Sequence, residues 1–241
     1  MPYVDSSQVR FYYGGYEPGN AMTKVLVAVG RIPLDTTSAG KPGEDAVTGI
    51  KRDRLAFEGL FETSADSMNE AAGTLVGSGT SPATVIIGTS TGTGVAYAGM
   101  AHLFDAPQGG SVKGLVRQMA VLQPNSLGFE RCHVIAVRGT ASGSGASGSV
   151  DNGTVTGTGA TAYIHIFGVT GTGSGGTITL QDSATGTSWS AVGTIVFSAN
   201  AATATAIGTT GTFRRYRRVV HTLGTGVTAL SYAVVLSGRS N

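Results

Sequence analysis

A single cysteine, Cys132, in 241 residues excludes an intramolecular disulfide and any CxxC redox or metal site. The lone thiol is expected to be buried and inert. Charge is scarce too: Asp, Glu, Lys and Arg make up 12% of the chain and the formal net charge is +2. Residues 1–150 carry 11 basic and 12 acidic side chains, residues 151–241 carry 5 and 2, and four of those last five basic residues lie in the single run GTFRRYRRVV, Gly211–Val220. A dedicated nucleic-acid binder spreads Lys and Arg over a face, which this chain does not do. No stretch approaches the roughly 18 apolar residues of a membrane span, and the first residues lack a basic segment followed by an apolar one. These absences predict a chain made in the cytoplasm, with no membrane insertion.

Catalytic signals are equally thin. The four histidines, His102, His133, His165 and His221, stand apart from one another at no metal-ligand spacing, and no GxSxG elbow occurs. The glycine runs Gly88–Gly94 and Gly171–Gly176 lead into strand-like rather than helix-like sequence, so they read as hairpin turns and not phosphate cradles. The expectation is a protein that is not an enzyme and needs no cofactor.

What the chain has in abundance is glycine, 38 residues, together with short Val/Ile/Thr/Tyr runs between Gly/Ser/Thr clusters; 41% of it is hydrophobic. That pattern predicts a mainly β protein with frequent turns. In GIKRDRLAFEGLFE, Gly49–Glu62, Leu55, Phe57, Gly59 and Phe61 alternate with polar residues, as in a sheet with one wet face. One helix is expected at about 64–76, capped by Ser64, with Met68, Ala71, Ala72 and Leu75 on one face. Further strands are expected at 84–88, 95–104, 112–122 and 129–137. Residues 30–48 form a long polar loop without periodicity, of the kind that is functional or ordered on assembly.

From Gly139 to Gly159, 17 of 21 residues are Gly, Ala, Ser or Thr, which reads as a flexible linker, 139–160. It divides a first region, 1–138, from a C-terminal region, 161–241, whose short strands at regular spacing suit an immunoglobulin-like or jelly-roll β-sandwich. Two surfaces invite a functional reading. Asp53, Glu58 and Glu62 form a row of acids after the long loop, and the outer region presents Trp189, Arg214, Tyr216 and Arg218. In a strand, the arginines of GTFRRYRRVV divide between both faces, with Tyr216 stacking on Arg214 and Arg218 and the charges held in water along a protected edge.

The succession VRFYYGGYEPGN, KVLVAV, LDTTSAG, TGIKRDRLAFEGLFE and ADSMNEAAGTL over residues 1 to about 138 resembles the major tail tube proteins of long-tailed, non-contractile bacteriophages. TAYIHIFGVTG, TITLQDSATGTSW and GTFRRYRRVVHT resemble the sandwich domains appended to virion proteins. The resemblance implies a tail-tube β-sandwich or barrel with one helix, plus an immunoglobulin-like C-terminal sandwich. It implies a virion protein that closes into hexameric rings, stacks into a tube and conducts DNA as non-specific cargo. Its partners would be copies of itself, the tape-measure, tail terminator and baseplate or tip proteins, with cell-surface glycans at the outer domain. The loop residues Asp35, Thr36, Thr37, Gly40, Lys41, Pro42, Gly43, Glu44 and Asp45 would make the inter-ring contact, and Asp53, Glu58 and Glu62 would face the lumen. The alternative is a capsid decoration protein or surface glycan-binding module, for which Trp189 and Tyr216 are the probes.

Overall fold

The computed structural model describes residues 9–18, 22–35, 46–51, 53–60, 68–75, 79–88, 91, 94–109, 116–125, 128–153, 155, 159–198 and 202–238. These residues are mainly β, with one helix and antiparallel sheets. The first strands are β1 (Val9–Tyr13), β2 (Met22–Ala28), β3 (Arg31–Asp35), β4 (Ala46–Lys51) and β5 (Arg54–Leu60). Then come α1 (Met68–Leu75), β6 (Ser81–Ile87), β7 (Val95–Asp105), β8 (Gln108–Gly109), β9 (Arg117–Pro124) and β10 (Glu130–Ala141). Two short strands, β11 (Gly145–Ala146) and β12 (Val150–Asp151), lead to β13 (Ala160–Gly171) and β14 (Gly176–Ser183). The chain ends with β15 (Ser190–Phe197), β16 (Thr203–Thr209), β17 (Tyr216–Leu223) and β18 (Val227–Ser237).

An eleven-stranded sheet runs β16-β13-β18-β10-β7-β9-β5-β2, with β6 on β7, β1 on β6 and β8 on β9. β7 makes this continuity possible. Its residues 95–98 pair with β10 and its residues from Ala101 onward pair with β9, so β9 and β10 follow one another along the same edge. The turn between them crosses at Gly99, where a Cβ would lie 2.6 Å from the carbonyl oxygen of Gly128. A second sheet runs β11-β17-β14-β15, with β12 also on β17.

Three buried clusters stack these layers. Phe11, Tyr13, Leu55, Phe57, Val85 and Leu122 pack with the Ala71–Ala72 face of α1. On the opposite side of the β1/β6 pair, Tyr12 and Ile86 meet Cys132, Val134, Tyr163, Phe167 and Val235. On the far side of β13 and β18, Ile164, Ile166, Val234 and Leu236 meet Ile178, Leu180, Phe197, Phe213 and Val219 of the second sheet. Strands covered on both faces lose the polar alternation, which is why Ala160–Phe167 is buried without a break. By contrast β5 alternates as the sequence predicts, with Leu55, Phe57 and Gly59 inward.

Several expectations change. The expected linker is not free chain: the 138/139 boundary falls inside β10, and Gly145–Ala146 and Val150–Asp151 pair with β17. Small residues are used there because the segment crosses between sheets and lies flat along β17, Val150 being buried and most of its neighbours exposed. The expected loop at 30–48 has strands at its flanks, since β3 pairs with β4 from Arg31↔Lys51 to Asp35↔Ala46 as a separate two-stranded ribbon. Its residues 36–45 lie outside the described residues, as do Ser64 and the first turn expected for the helix. The Gly88–Gly94 run does join the hairpin β6–β7. Gly171–Gly176 does not form a hairpin; it carries the chain from the eleven-stranded sheet to the other one.

Candidate functional site

The acids expected to line a channel have different fates. Asp53 is only 5% exposed. Its Oδ1 accepts a hydrogen bond from the Gly30 N–H at 3.1 Å and its Oδ2 one from the Phe129 N–H at 2.7 Å. It therefore ties the end of β2 to the β9–β10 turn, and its assignment as a lumen acid is corrected. In the sequence, Asp53 sits between Arg52 and Arg54 and looks solvated; only the long-range fold brings it the backbone amides of Gly30 and of buried Phe129 that it accepts from. Asp53→Ala leaves both amides without their carboxylate and is expected to destabilise the fold by about 2–3 kcal/mol, read by denaturant unfolding. Equal stability of the variant and wild type would contradict this role.

Glu58 does face outward, yet its carboxylate is paired with Arg117, Oε1 to Nη1 at 3.1 Å. On this face Lys24, Glu58 and Met119 lie in one cross-strand row and Leu26, Ala56 and Val121 in the next. Lys24, Arg54 and Arg117 are exposed. The described part of the face is thus apolar and cationic rather than acidic. Glu62 lies outside the described residues, and Asp35 closes β3.

β2 ends the large sheet: among the described residues its only strand partner is β5. Leu26 is 49% and Val29 48% exposed. Beside this edge Val9, Val25, Val27, Val85, Ile87 and Tyr97 line an apolar cleft of ≈ 480 Å³. A seven-residue edge strand with apolar side chains and one lysine is a template for pairing with another chain.

The arginine run is where the sequence reading and the structure differ most. Period-two alternation holds from Tyr216 onward, with Arg217, Val219 and His221 buried and Arg218 and Val220 half-buried. Arg217 is fully buried. Its guanidinium lies 5.4 Å from the Phe213 ring centroid. Asn152, with its amide turned to satisfy its neighbours, accepts from Arg217 Nη1 at 2.6 Å and Nη2 at 3.2 Å and donates to His133 Nδ1 at 3.1 Å. Asp182 stands opposite Arg217 in register and opposes the burial that pulls the guanidinium down to about 10. Burial, and then the nearby Arg217 and Arg131 charges, lower the His133 pKa.

Arg215 closes on Asp151 through Nε at 2.7 Å and Nη2 at 2.6 Å, which holds that carboxyl at about 2. Arg215, rather than Arg214 or Arg218, lies over the Tyr216 ring, at 5.1 Å. Trp189 is half-buried beneath Arg218, whose guanidinium sits 4.3 Å from the ring centroid, and it belongs to none of the core clusters. β17 is no free edge, because β14 covers one side and β11 and β12 the other. Charge is therefore not spent there on keeping a second strand away. Among the described residues no group of His, Cys, Asp and Glu could hold a metal ion.

No protein-family model and no curated protein matches the chain. Solved structures do resemble it. The SPP1 tail tube, determined by solid-state NMR and cryo-EM, is 15% identical with a TM-score of 0.43, over 54% of this chain and 78% of that one. A chain of the native gene transfer agent virion is 13% identical with a TM-score of 0.40, over 51% and 94%. The SPP1 Dit protein, from a hub adsorption apparatus, is 12% identical with a TM-score of 0.36, over 95% and 98%. All three come from virion or tail assemblies.

Proposed function

We propose that this chain is a structural protein of a phage-type tail that assembles with copies of itself, closing into hexameric rings that stack as a tube for DNA passage into the host. The observation that carries the reading is the open β2 edge beside an apolar cleft, at the end of an eleven-stranded sheet. Ring closure pairs such edges and removes an aggregation hazard, and it needs no catalytic group. The order of motifs over residues 1–138 supports the same reading. The β3–β4 ribbon follows directly from β2 and is the inter-ring arm in this scheme. Tape-measure, terminator and baseplate or tip proteins are the partners such a tube requires, and the virion tail is its location.

The cationic and apolar face of β2, β5 and β9 alters the original idea of an acidic lumen. In the proposal this face lies against a neighbouring copy or another tail protein, and passive DNA transit does not depend on Asp53 or Glu58. Leu26→Lys places a second lysine on the edge strand two residues from Lys24 and is expected to leave a folded monomer that no longer assembles. Sedimentation of wild type and variant, with circular dichroism as the fold control, reads the outcome. Equal assembly of the two would remove β2 from the interface.

A further inference from the structure

Asn152 is the only one of the chain's six asparagines followed by glycine; the others precede Ala, Glu or Ser, or stand last. Glycine has no side chain to shield its backbone nitrogen from the neighbouring carboxamide carbon. At Gly153 φ is +72° and a Cβ would meet nothing within 4 Å, so the approach is open on that side. Each atom that such an attack changes is held by a different group. The Gly153 N–H donates to Asp151 Oδ1 at 2.8 Å. The Asn152 carboxamide oxygen accepts from Arg217 Nη1 at 2.6 Å and Nη2 at 3.2 Å, and its nitrogen donates to His133 Nδ1 at 3.1 Å. Arg215 keeps the Asp151 carboxyl ionised, and burial keeps the His133 imidazole an acceptor. These groups come from three strands, Asp151 from β12, His133 from β10 and Arg217 from β17.

We propose that Asn152–Gly153 is a self-processing site, at which the folded chain converts the Asn152 carboxamide into a carboxylate. The Gly153 nitrogen bonds to Asn152 Cγ and passes its proton to Asp151, while the two Arg217 donors hold the oxygen as negative charge builds on it. The bond from Cγ to Nδ2 then breaks, and the nitrogen, held by His133, takes a proton back and leaves as ammonia. A cyclic imide remains. Solvent water adds to Cγ and opens the ring, which restores the Gly153 N–H and leaves a carboxylate at position 152. The sum is amide plus water to acid plus ammonia, with no change of oxidation state. The product sets a negative charge against the buried Arg217 guanidinium where a neutral amide stood. Asn152 touches both sheets, through His133 on β10 and Arg217 on β17, so the new charge pair tightens the β12 strap across their joint.

The test incubates the freshly purified full chain at neutral pH and maps its peptides by mass spectrometry at intervals. The expected result is amide-to-acid conversion at Asn152 with the other asparagines intact. It should run at least about tenfold faster than in chain held unfolded in urea, which keeps the Asn-Gly pair but disperses the three groups around it. Asp151→Ala removes the proton acceptor and should slow conversion about tenfold. Arg215→Gln breaks the same ion pair yet keeps the carboxylate, so it should convert at least as fast as wild type. The folded and unfolded comparison needs no substitution and carries the test if a variant melts early. Asn152→Asp makes the product directly and should melt about 3 °C above fresh wild type. The site is overturned by an unchanged Asn152 in the folded chain, by equal or faster conversion in urea, by Asp151→Ala converting as fast as wild type, by Arg215→Gln falling as far as Asp151→Ala, or by Asn152→Asp melting no higher than wild type. None of these results depends on ring assembly.

Discussion

Gly175→Ala is expected to lower stability by about 4 kcal/mol or more and the melting temperature by about 10 °C. Gly175 has φ +100°, where an L side chain is strained, and a Cβ there would collide with the carbonyl oxygen of Phe197. The oxygen belongs to backbone at the end of β15, so no side chain can swing aside. The collision is one of several at the same corner. A Cβ on Gly173 would strike the Thr225 carbonyl oxygen, one on Gly176 that of Thr222, and one on Gly224 that of Gly175. Here the chain passes from the large sheet to the second one and packs its backbone against the β17–β18 turn, with the Gly224 N–H donating to the Gly175 carbonyl at 2.6 Å. Gly211→Ala is the control: its Cβ would meet nothing within 4 Å, and stability should change by no more than about 0.5 kcal/mol. Thermal melts of the two variants that coincide would contradict this account of the glycine-rich corner.

His165 is expected to make the fold acid-labile. It is fully buried between Tyr12 and Phe167, with Nε2 on the Thr84 hydroxyl at 2.8 Å, and its Nδ1 has no partner among the described residues. Burial lowers its pKa from 6.5 to about 3. The unfolded chain takes up a proton near pH 6.5 that the native state refuses until about pH 3. Stability from this group is therefore fully present above pH 6.5 and is lost as pH falls through that window, by about 1.4 kcal/mol per pH unit. Over 2.5 units the loss is about 3 kcal/mol. His165→Gln cannot titrate, so its unfolding free energy should fall less steeply between pH 6.5 and 4 than that of wild type. Parallel curves would show that His165 is not the group responsible.

These two residues also mark what was legible in the sequence and what was not. Local patterns were readable: the β5 alternation, the Gly88–Gly94 hairpin and the apolar stripe of α1 all follow from spacing within one element. The mainly β class followed from the same signals. Properties set by distant partners were hidden. Asp53 looked like a surface acid because the Gly30 and Phe129 amides it serves come from other turns. Residues 139–160 looked like a linker because Gly and Ser also serve chain that lies flat on another strand. β16 (TATAIGT) has a weak strand signature because its small residues sit at an edge and need little apolar bulk.

The arginine run teaches the same lesson at the candidate site. Alternation holds for Arg217 and Arg218, which lie on opposite faces of β17. It could not reveal that one face is interior, because Arg217 is buried only once Asn152 and Asp182 arrive from other strands. Nor could it distinguish Arg215, paired with Asp151, from Arg218, stacked on Trp189 and bonded to Gln181.

The central claim is that copies of this chain join at the β2 edge, and cryo-electron microscopy of the purified full-length protein under assembly conditions tests it most directly. The account predicts stacked rings in which the seam between neighbouring subunits runs along Met22–Ala28 of each copy. Rings with that strand facing solvent, or a protein that stays monomeric at every concentration and salt tried, would contradict it.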